Sequence, residues 1–440
     1  MAKYLVTGGN PLKGTVRIYG AKNSVFKLIL AAALSDGDST VENVCQIRNV
    51  FLVKEIIEQL GGKTSINTEN HSATVSGKDL SGFSVPIELG KESRASSMMI
   101  PILLHRFGQA RVPFPGGDNI GARSLDRHFA GLKKLGVEIS TDEGVICAKS
   151  PNGLVGSGYT FEKSTHTGTE TMILTAALAK GQTVLNNAAQ EPEVDDLINF
   201  LNKMGADVKR IESRKIVING VEKLHRAAYR AMPDQNEAVT FACSALATKG
   251  DVFVQEAREE HLGAFIEKVR ETGGGVEISA DGIRFFYKQP LKGINVETAP
   301  YPGFKTDWQA LWVTLMTQAE GESTVHERVY ESRFGFVPDL QKMGAKIELF
   351  NPEVSDPETF YNFNLKDIRG DSFHAVKILG PTHLHGEGLR VSDIRAGATL
   401  TLAALIAGGQ STIDNVEMIE RGYENLEGRL QSLGAKIDKR

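Results

Sequence analysis

Six copies of one pattern constrain what this chain can fold into more than any single residue does. Each copy runs as a polar-capped apolar helix, a glycine, a β-rich stretch, a second helix, and a hydrophobic–glycine pair that opens another strand. The first glycines are Gly37, Gly108, Gly181, Gly250, Gly321 and Gly409; the second are Gly61, Gly136, Gly205, Gly273, Gly344 and Gly434. Lys-Met-Gly-Ala-Asp-Val at 203–208, Lys-Met-Gly-Ala-Lys-Ile at 342–347 and Ser-Leu-Gly-Ala-Lys-Ile at 432–437 show the second signal most clearly. A period of about seventy residues is too long for a solenoid unit and suits half a small domain. The copies therefore predict two similar globular halves of three repeats each, with a cleft between them.

A chain of 440 residues supports at least two domains. Its formal net charge of −4 gives no global pull toward nucleic acid or an anionic membrane, so neither is expected as a partner. Cys45, Cys147 and Cys243 are few, odd in number and scattered, which argues against a disulfide framework or a CxxC metal site. The opening Met-Ala-Lys-Tyr-Leu-Val-Thr-Gly enters strand pattern directly, without an apolar signal segment, and apolar runs such as Leu400 to Ala407 fall short of a membrane span. A soluble cytoplasmic protein is the expectation.

Alternation at Lys3 to Thr7 and Thr15 to Tyr19 predicts an opening strand pair ahead of the first full repeat. Pro233-Asp234 marks a return crossing between halves. The expected domains are 21–229, and 1–20 together with 230–440. The interval between the fifth and sixth copies is long, and its surplus, Phe350 to Phe373, is expected to form an exposed loop or an added hairpin.

Polar residues open each long apolar helix: Lys22-Asn23-Ser24, Ser93 to Ser96, Thr167-Gly168-Thr169, Asp234 to Asn236, Thr306-Asp307 and Ser392-Asp393. These read as N-cap signals. If related helix ends aim in related directions, their N–H groups and positive dipole ends would attract anions, so phosphate-bearing substrates are expected.

The segment Pro115-Gly116-Gly117-Asp118-Asn119-Ile120-Gly121-Ala122-Arg123 is the most unusual locally. Its glycines suit a loop that folds over a ligand. Asp118 can exchange a proton there, and Arg123 can grip a phosphate or carboxylate bidentately. The glycine spacing is neither that of a Walker A loop nor that of a dinucleotide fingerprint.

Gly20-Ala21-Lys22-Asn23, Arg94-Ala95-Ser96, the Pro-Gly-Gly…Ile-Gly-Ala-Arg loop, Thr306-Asp307 and Glu420-Arg421-Gly422-Tyr423 stand in the order seen in the enolpyruvyl transferase family. The chain resembles that family over essentially its whole length, in its UDP-N-acetylglucosamine 1-carboxyvinyltransferase branch. The resemblance implies a two-domain inside-out α/β barrel of six βαβαββ-type repeats, three per domain, with the active site in the interdomain cleft. It implies transfer of an enolpyruvyl group from phosphoenolpyruvate to the 3-hydroxyl of UDP-N-acetylglucosamine, at the start of peptidoglycan synthesis, without a metal or organic cofactor. Motif by motif, Lys22, Arg123 and Arg421 would hold phosphoenolpyruvate, with Arg395 nearby. Asn23 and Arg94 would contact the sugar nucleotide. Arg123, Ser124, Leu125, Asp126 and Arg127 would border the uridine, and Thr165, His166, Thr167 and Gly168 would serve the diphosphate. Asp307 is the candidate general base, Val329 would lie by the sugar, and Glu331 and Arg333 match a neighbouring motif. Asp118 or Lys22 is the candidate proton donor.

Asp118 stands where most of the family carries a reactive cysteine, so insensitivity to epoxide inhibitors of the fosfomycin type is expected. Gln235 replaces an Arg, Tyr301 and Met418 replace His, Met98 replaces a Trp and Arg48 replaces a Lys. These departures leave open a paralogue with another acceptor, such as shikimate 3-phosphate or another nucleotide sugar, or a non-catalytic nucleotide-sugar-binding relative. Against the shikimate enzyme, whose helix start reads Gly-Asn-Ala-Gly-Thr followed by Arg, stands Lys-Glu-Ser-Arg-Ala-Ser-Ser at 91–97.

Overall fold

The computed structural model describes residues 2–116, 124–370 and 372–440. Among them six sheets form, five of four strands and one of three. The third repeat shows the rule. Strand Gly158–Thr160 lies parallel to Gln182–Asn186, and helix His166–Ala176 makes the crossover between them. Helix Pro192–Lys203 follows, and then the antiparallel pair Asp207–Glu212 and Lys215–Asn219, whose second strand hydrogen-bonds to Gln182–Asn186. The period of two is plain in the register: Leu185 faces Ile216, and both are fully buried. The βαβαββ repeat of the expected fold class is thus present.

The second glycine of every repeat has a left-handed backbone, with φ from 88° at Gly273 to 98° at Gly205. At the third repeat the N–H of Gly205 returns to the Asn202 carbonyl and that of Ala206 to the Leu201 carbonyl, closing the helix before the next strand. A residue with a Cβ is strained in that conformation, which is why the signal recurs as glycine.

The chain divides into two compact units: residues 20–116 with 124–232, and residues 2–19 with 233–440. In the first, Ala228–Arg230 lies parallel to Ser39–Glu42 and supplies the parallel strand that the first repeat lacks. In the second, Lys3–Thr7 pairs with both Gln410–Asp414 and Lys436–Lys439, and Lys13–Arg17 lies parallel to Asp251–Gln255. The long helices are apolar nearly all round because protein covers them on every side; each residue of Gln235–Ala247 and Gln309–Met316 is buried.

Capping follows expectation in part. Thr165 accepts from Gly168 N, Asp234 from Asn236 N and Glu237 N, and Asp393 from Arg395 N and Ala396 N. Ser93 accepts from Ala95 N at the turn Arg94–Met98, which leads into helix Met99–Phe107. The first and fifth starts differ: helix Lys22–Ala32 and turn Thr306–Trp308 have no side-chain cap. Thr167, Gly168 and Thr169 lie inside the third helix rather than before it.

The 350–373 surplus is largely an exposed loop, as expected, joining the antiparallel strands Lys346–Phe350 and Ala375–Gly380. It holds the short turns Pro357–Phe360 and Leu365–Asp367, and its aromatic residues anchor it. Tyr361 and Phe363 are buried and stack at 4.7 Å, and the Tyr361 hydroxyl lies 3.0 Å from His326 Nε2. The Arg328 guanidinium sits 3.8 Å over the Phe360 ring.

Candidate active site

In the unit built from residues 2–19 and 233–440, the chemistry gathers around Asp307. A Cβ on Gly397 would lie 2.5 Å from Ile419, so glycine in helix Ile394–Ile406 lets Glu417–Glu420 approach closely. Trp308 is buried among Phe265, Phe304 and its neighbours, and its indole N–H donates to Asn236 Oδ1 at 3.0 Å. The adjacent Asp307 stays partly exposed. Its Oδ1 accepts from Arg395 Nε at 3.1 Å and from Arg333 Nη2 at 3.1 Å. Burial pushes the carboxyl upward, but Arg395, Arg333 and Lys305 outweigh it and hold Asp307 far below the usual carboxylate range.

Behind it, Glu327 is buried and accepts from the N–H groups of Val329 and Tyr330 and from the Thr306 hydroxyl. Arg333 in turn donates to Thr306 Oγ1 at 3.2 Å. A lattice of hydrogen bonds thereby fixes the backbone at Val329 and the side chain of Arg333. Arg421 closes the short helix Glu417–Glu420 and donates to the Met418 sulfur at 3.7 Å. A thioether is a weak acceptor and adds no charge there.

In the other unit, Gly20 is required because a Cβ would lie 1.9 Å from the Asn43 carbonyl oxygen. That close passage delivers Lys22 and Asn23 as the first residues of the helix Lys22–Ala32, with Lys22 buried. Ser24 donates to Asp196 at 2.5 Å; Asp196 also accepts from the Tyr229 hydroxyl and from Met232 N, which ties the helix start down. Gly168 is needed for its cap, since a Cβ would lie 2.4 Å from Thr165 Cγ2.

Ser124 and Leu125 lead into helix Asp126–Lys134. Asp126 N donates to the exposed Ser124 hydroxyl, while Leu125 is buried. His128, which the motifs do not single out, is buried and lies 2.9 Å through Nε2 from the Thr167 hydroxyl. Burial lowers its pKa to about 3, and Arg94 and Arg127 add to the effect. His128 is thus a neutral hydrogen-bonding group beside two arginines named by the motifs. Lys305 is a second omission; it immediately precedes Thr306-Asp307, and only its burial beside Asp307 marks it out. Asp118 and Arg123 lie outside the described residues.

Arg48, Met98 and Tyr301 each find local partners. Arg48 is gripped by both Glu92 and Glu55, through four hydrogen bonds that a lysine's ammonium cannot make in that forked geometry. Met98 is buried and accepts from the Thr171 hydroxyl through its sulfur. Tyr301 donates to the Glu260 carbonyl at 2.8 Å. Nothing in the structure explains Gln235.

Among the described residues no group of three or more His, Cys, Asp or Glu is arranged to hold a metal, and no helix is long and apolar enough to cross a membrane.

Residues 6–430 match the family of EPSP synthase (3-phosphoshikimate 1-carboxyvinyltransferase). The fold agrees with the crystal structure of the enolpyruvyl transferase NikO from Streptomyces tendae, at TM-score 0.85 and 25% identity over 100% of this chain and 98% of that one. A UDP-N-acetylglucosamine 1-carboxyvinyltransferase from Koribacter versatilis is 39% identical over 100% of this chain and 96% of its own length. One from Chlamydia pneumoniae is 40% identical over 98% and 94%. The chain belongs to the enolpyruvyl transferase family and, within it, to the branch of the UDP-N-acetylglucosamine 1-carboxyvinyltransferases.

Proposed function

We propose that the chain transfers the enolpyruvyl group of phosphoenolpyruvate to the 3-hydroxyl of UDP-N-acetylglucosamine with release of phosphate, the first committed step of peptidoglycan synthesis, in the cytoplasm. The observation that carries this reading is end-to-end identity of 39% to a relative named for that reaction. The geometry around Asp307 supports it. Three cations converge on one carboxylate, in an arrangement that suits a small polyanionic donor.

In the proposed first step, the sugar oxygen bonds to C2 of phosphoenolpyruvate, its proton passes to Asp307, and the methylene carbon takes a proton from Lys22 or Asp118. The product is a tetrahedral phospholactoyl adduct. In the second step the methyl carbon returns a proton to the deprotonated Lys22 or Asp118, the C2–O bond breaks with its electron pair leaving on inorganic phosphate, and the enolpyruvyl ether remains. Lys22, Arg123, Arg395 and Arg421 neutralise the donor. Asn23, Arg94, Ser124, Leu125, Asp126 and Arg127 hold the nucleoside side, Thr165, His166, Thr167 and Gly168 the diphosphate, and Val329 the sugar.

An Asp307 held this acidic is a weak base while Arg395 donates to it. Donor anions that draw Arg395 toward themselves would loosen that bond and raise the basicity of Asp307 as the substrate arrives.

The test is phosphate release from phosphoenolpyruvate with UDP-N-acetylglucosamine, run beside shikimate 3-phosphate. Turnover with the nucleotide sugar alone is expected. Turnover with shikimate 3-phosphate instead, or nucleotide-sugar binding without phosphate release, would overturn the reading.

A further inference from the structure

We propose that Lys27 and Glu170 are positioning residues that fix the tautomer of His166, so that its Nδ1 presents a proton to the anionic oxygens of the nucleotide sugar. The proposal rests on the functional reading above. Lys27 lies one turn beyond Asn23 on Lys22–Ala32, and Glu170 one turn beyond His166 on His166–Ala176. Their side chains are 1% and 0% exposed, and Lys27 Nζ pairs with Glu170 Oε2. Both converge on one ring nitrogen: Lys27 Nζ hydrogen-bonds His166 Nε2 at 3.2 Å, and Glu170 Oε1 lies 3.2 Å from the same atom.

An ammonium has donors and no acceptor, so the Lys27 bond requires a lone pair on Nε2. A neutral ring then carries its proton on Nδ1. Glu170 Oε2 is taken by the Lys27 ammonium, and the carboxylate serves as its countercharge while Oε1 faces His166 Nε2. The His166 side chain remains 22% exposed, open to a ligand. Stability does not account for the pair. Both side chains are buried, and at such places apolar residues of similar volume commonly do as well or better. Nor does a neutral pair add net attraction for an anion. What it decides is which nitrogen bears the proton. Without the pair, nothing holds a lone pair on Nε2; the ring reverts to the Nε2–H tautomer that a free neutral histidine prefers, and Nδ1 then offers a lone pair to phosphate oxygen.

The experiment uses the full-length enzyme and the double variant Lys27→Met/Glu170→Met, chosen so that no charge is left buried alone. Its thermal midpoint is expected to match the wild type. Its KM for UDP-N-acetylglucosamine should rise about tenfold, the loss of one hydrogen bond to a charged group, with kcat and the KM for phosphoenolpyruvate within about twofold. Adding His166→Asn, whose amide nitrogen falls near the Nδ1 position, should recover most of that KM. Nitrogen-15 spectra of the imidazole should show the proton on Nδ1 in the wild type and on Nε2 in the double variant. A wild-type proton on Nε2 or on both nitrogens, or an unchanged nucleotide-sugar KM in the double variant, overturns the proposal. Absence of wild-type turnover with UDP-N-acetylglucosamine would instead sink the functional reading, and the spectra would still decide the tautomer.

Discussion

Asp307 accepts a hydrogen bond from Arg395 across 88 residues of chain, and the Asp307 oxygen that takes it also takes one from Arg333. The acid is thereby held ionised with one face committed to cations. Asp307→Asn keeps the shape and removes the charge. Steady-state phosphate release should fall by about 10²- to 10⁴-fold, the range for loss of a general base, with far-ultraviolet circular dichroism unchanged. A loss under tenfold would remove Asp307 from proton transfer.

Lys22 opens its helix without a side-chain cap, so its removal sacrifices no capping bond. Lys22→Ala is expected to cut turnover by at least about 100-fold, the scale for deleting one preorganised cationic or hydrogen-bonding partner of a developing charge. Near-normal phosphate release would show that the lysine plays no part in the chemistry.

Glu237 and Arg429 form a buried bidentate pair, with both contacts at 2.8 Å and side chains 5% and 11% exposed. Glu237→Ala leaves the guanidinium buried without that countercharge and should cost about 3–5 kcal/mol in urea unfolding. Replacing both partners with leucine should cost less than the single change.

The burial of His128 sets a pH dependence with a definite sign. Its pKa is near 3 in the folded chain and about 6.5 when unfolded, so below pH 6.5 the unfolded state binds the extra proton. Each unit of acidification from 6.5 toward 3 should therefore remove about 1.4 kcal/mol of stability through this group. His128→Asn should lose stability more slowly with acid over that window. Parallel wild-type and variant profiles would contradict the assignment.

Asp118 offers no thiolate to an epoxide. Incubation with fosfomycin is expected to give no time-dependent inactivation and no mass increase, while Asp118→Cys should acquire both. A covalent adduct on the wild-type chain at 115–123 would disprove this.

The repeat was legible because six glycines must occupy a conformation that other residues resist, and because apolar helices announce themselves by composition. Helix starts were less so. Lys22 and Thr306-Asp307 resemble caps in composition, yet Asp307 spends its carboxylate on arginines that are distant in sequence. Lys27 and Glu170 were opaque for the opposite reason: charges inside apolar helices suggest an exposed face until the partner helix is in place. The 350–373 segment showed no period because its aromatic residues pack on one another and on His326 and Arg328 within an irregular loop rather than along a regular element. His128 carries no motif at all; only its enclosure beside Arg94 and Arg127 gives it away.

Among the described residues the strand Lys3–Thr7 pairs with Gln410–Asp414 and Lys436–Lys439, whereas the strands of residues 20–116 and 124–232 pair among themselves. During synthesis the interior stretch can therefore mature on the ribosome while the earliest-made strand waits, unpaired, for residues added more than four hundred positions later. A pause or early stop late in translation would leave that strand's backbone exposed, and it is there that this chain would first recruit a chaperone or aggregate.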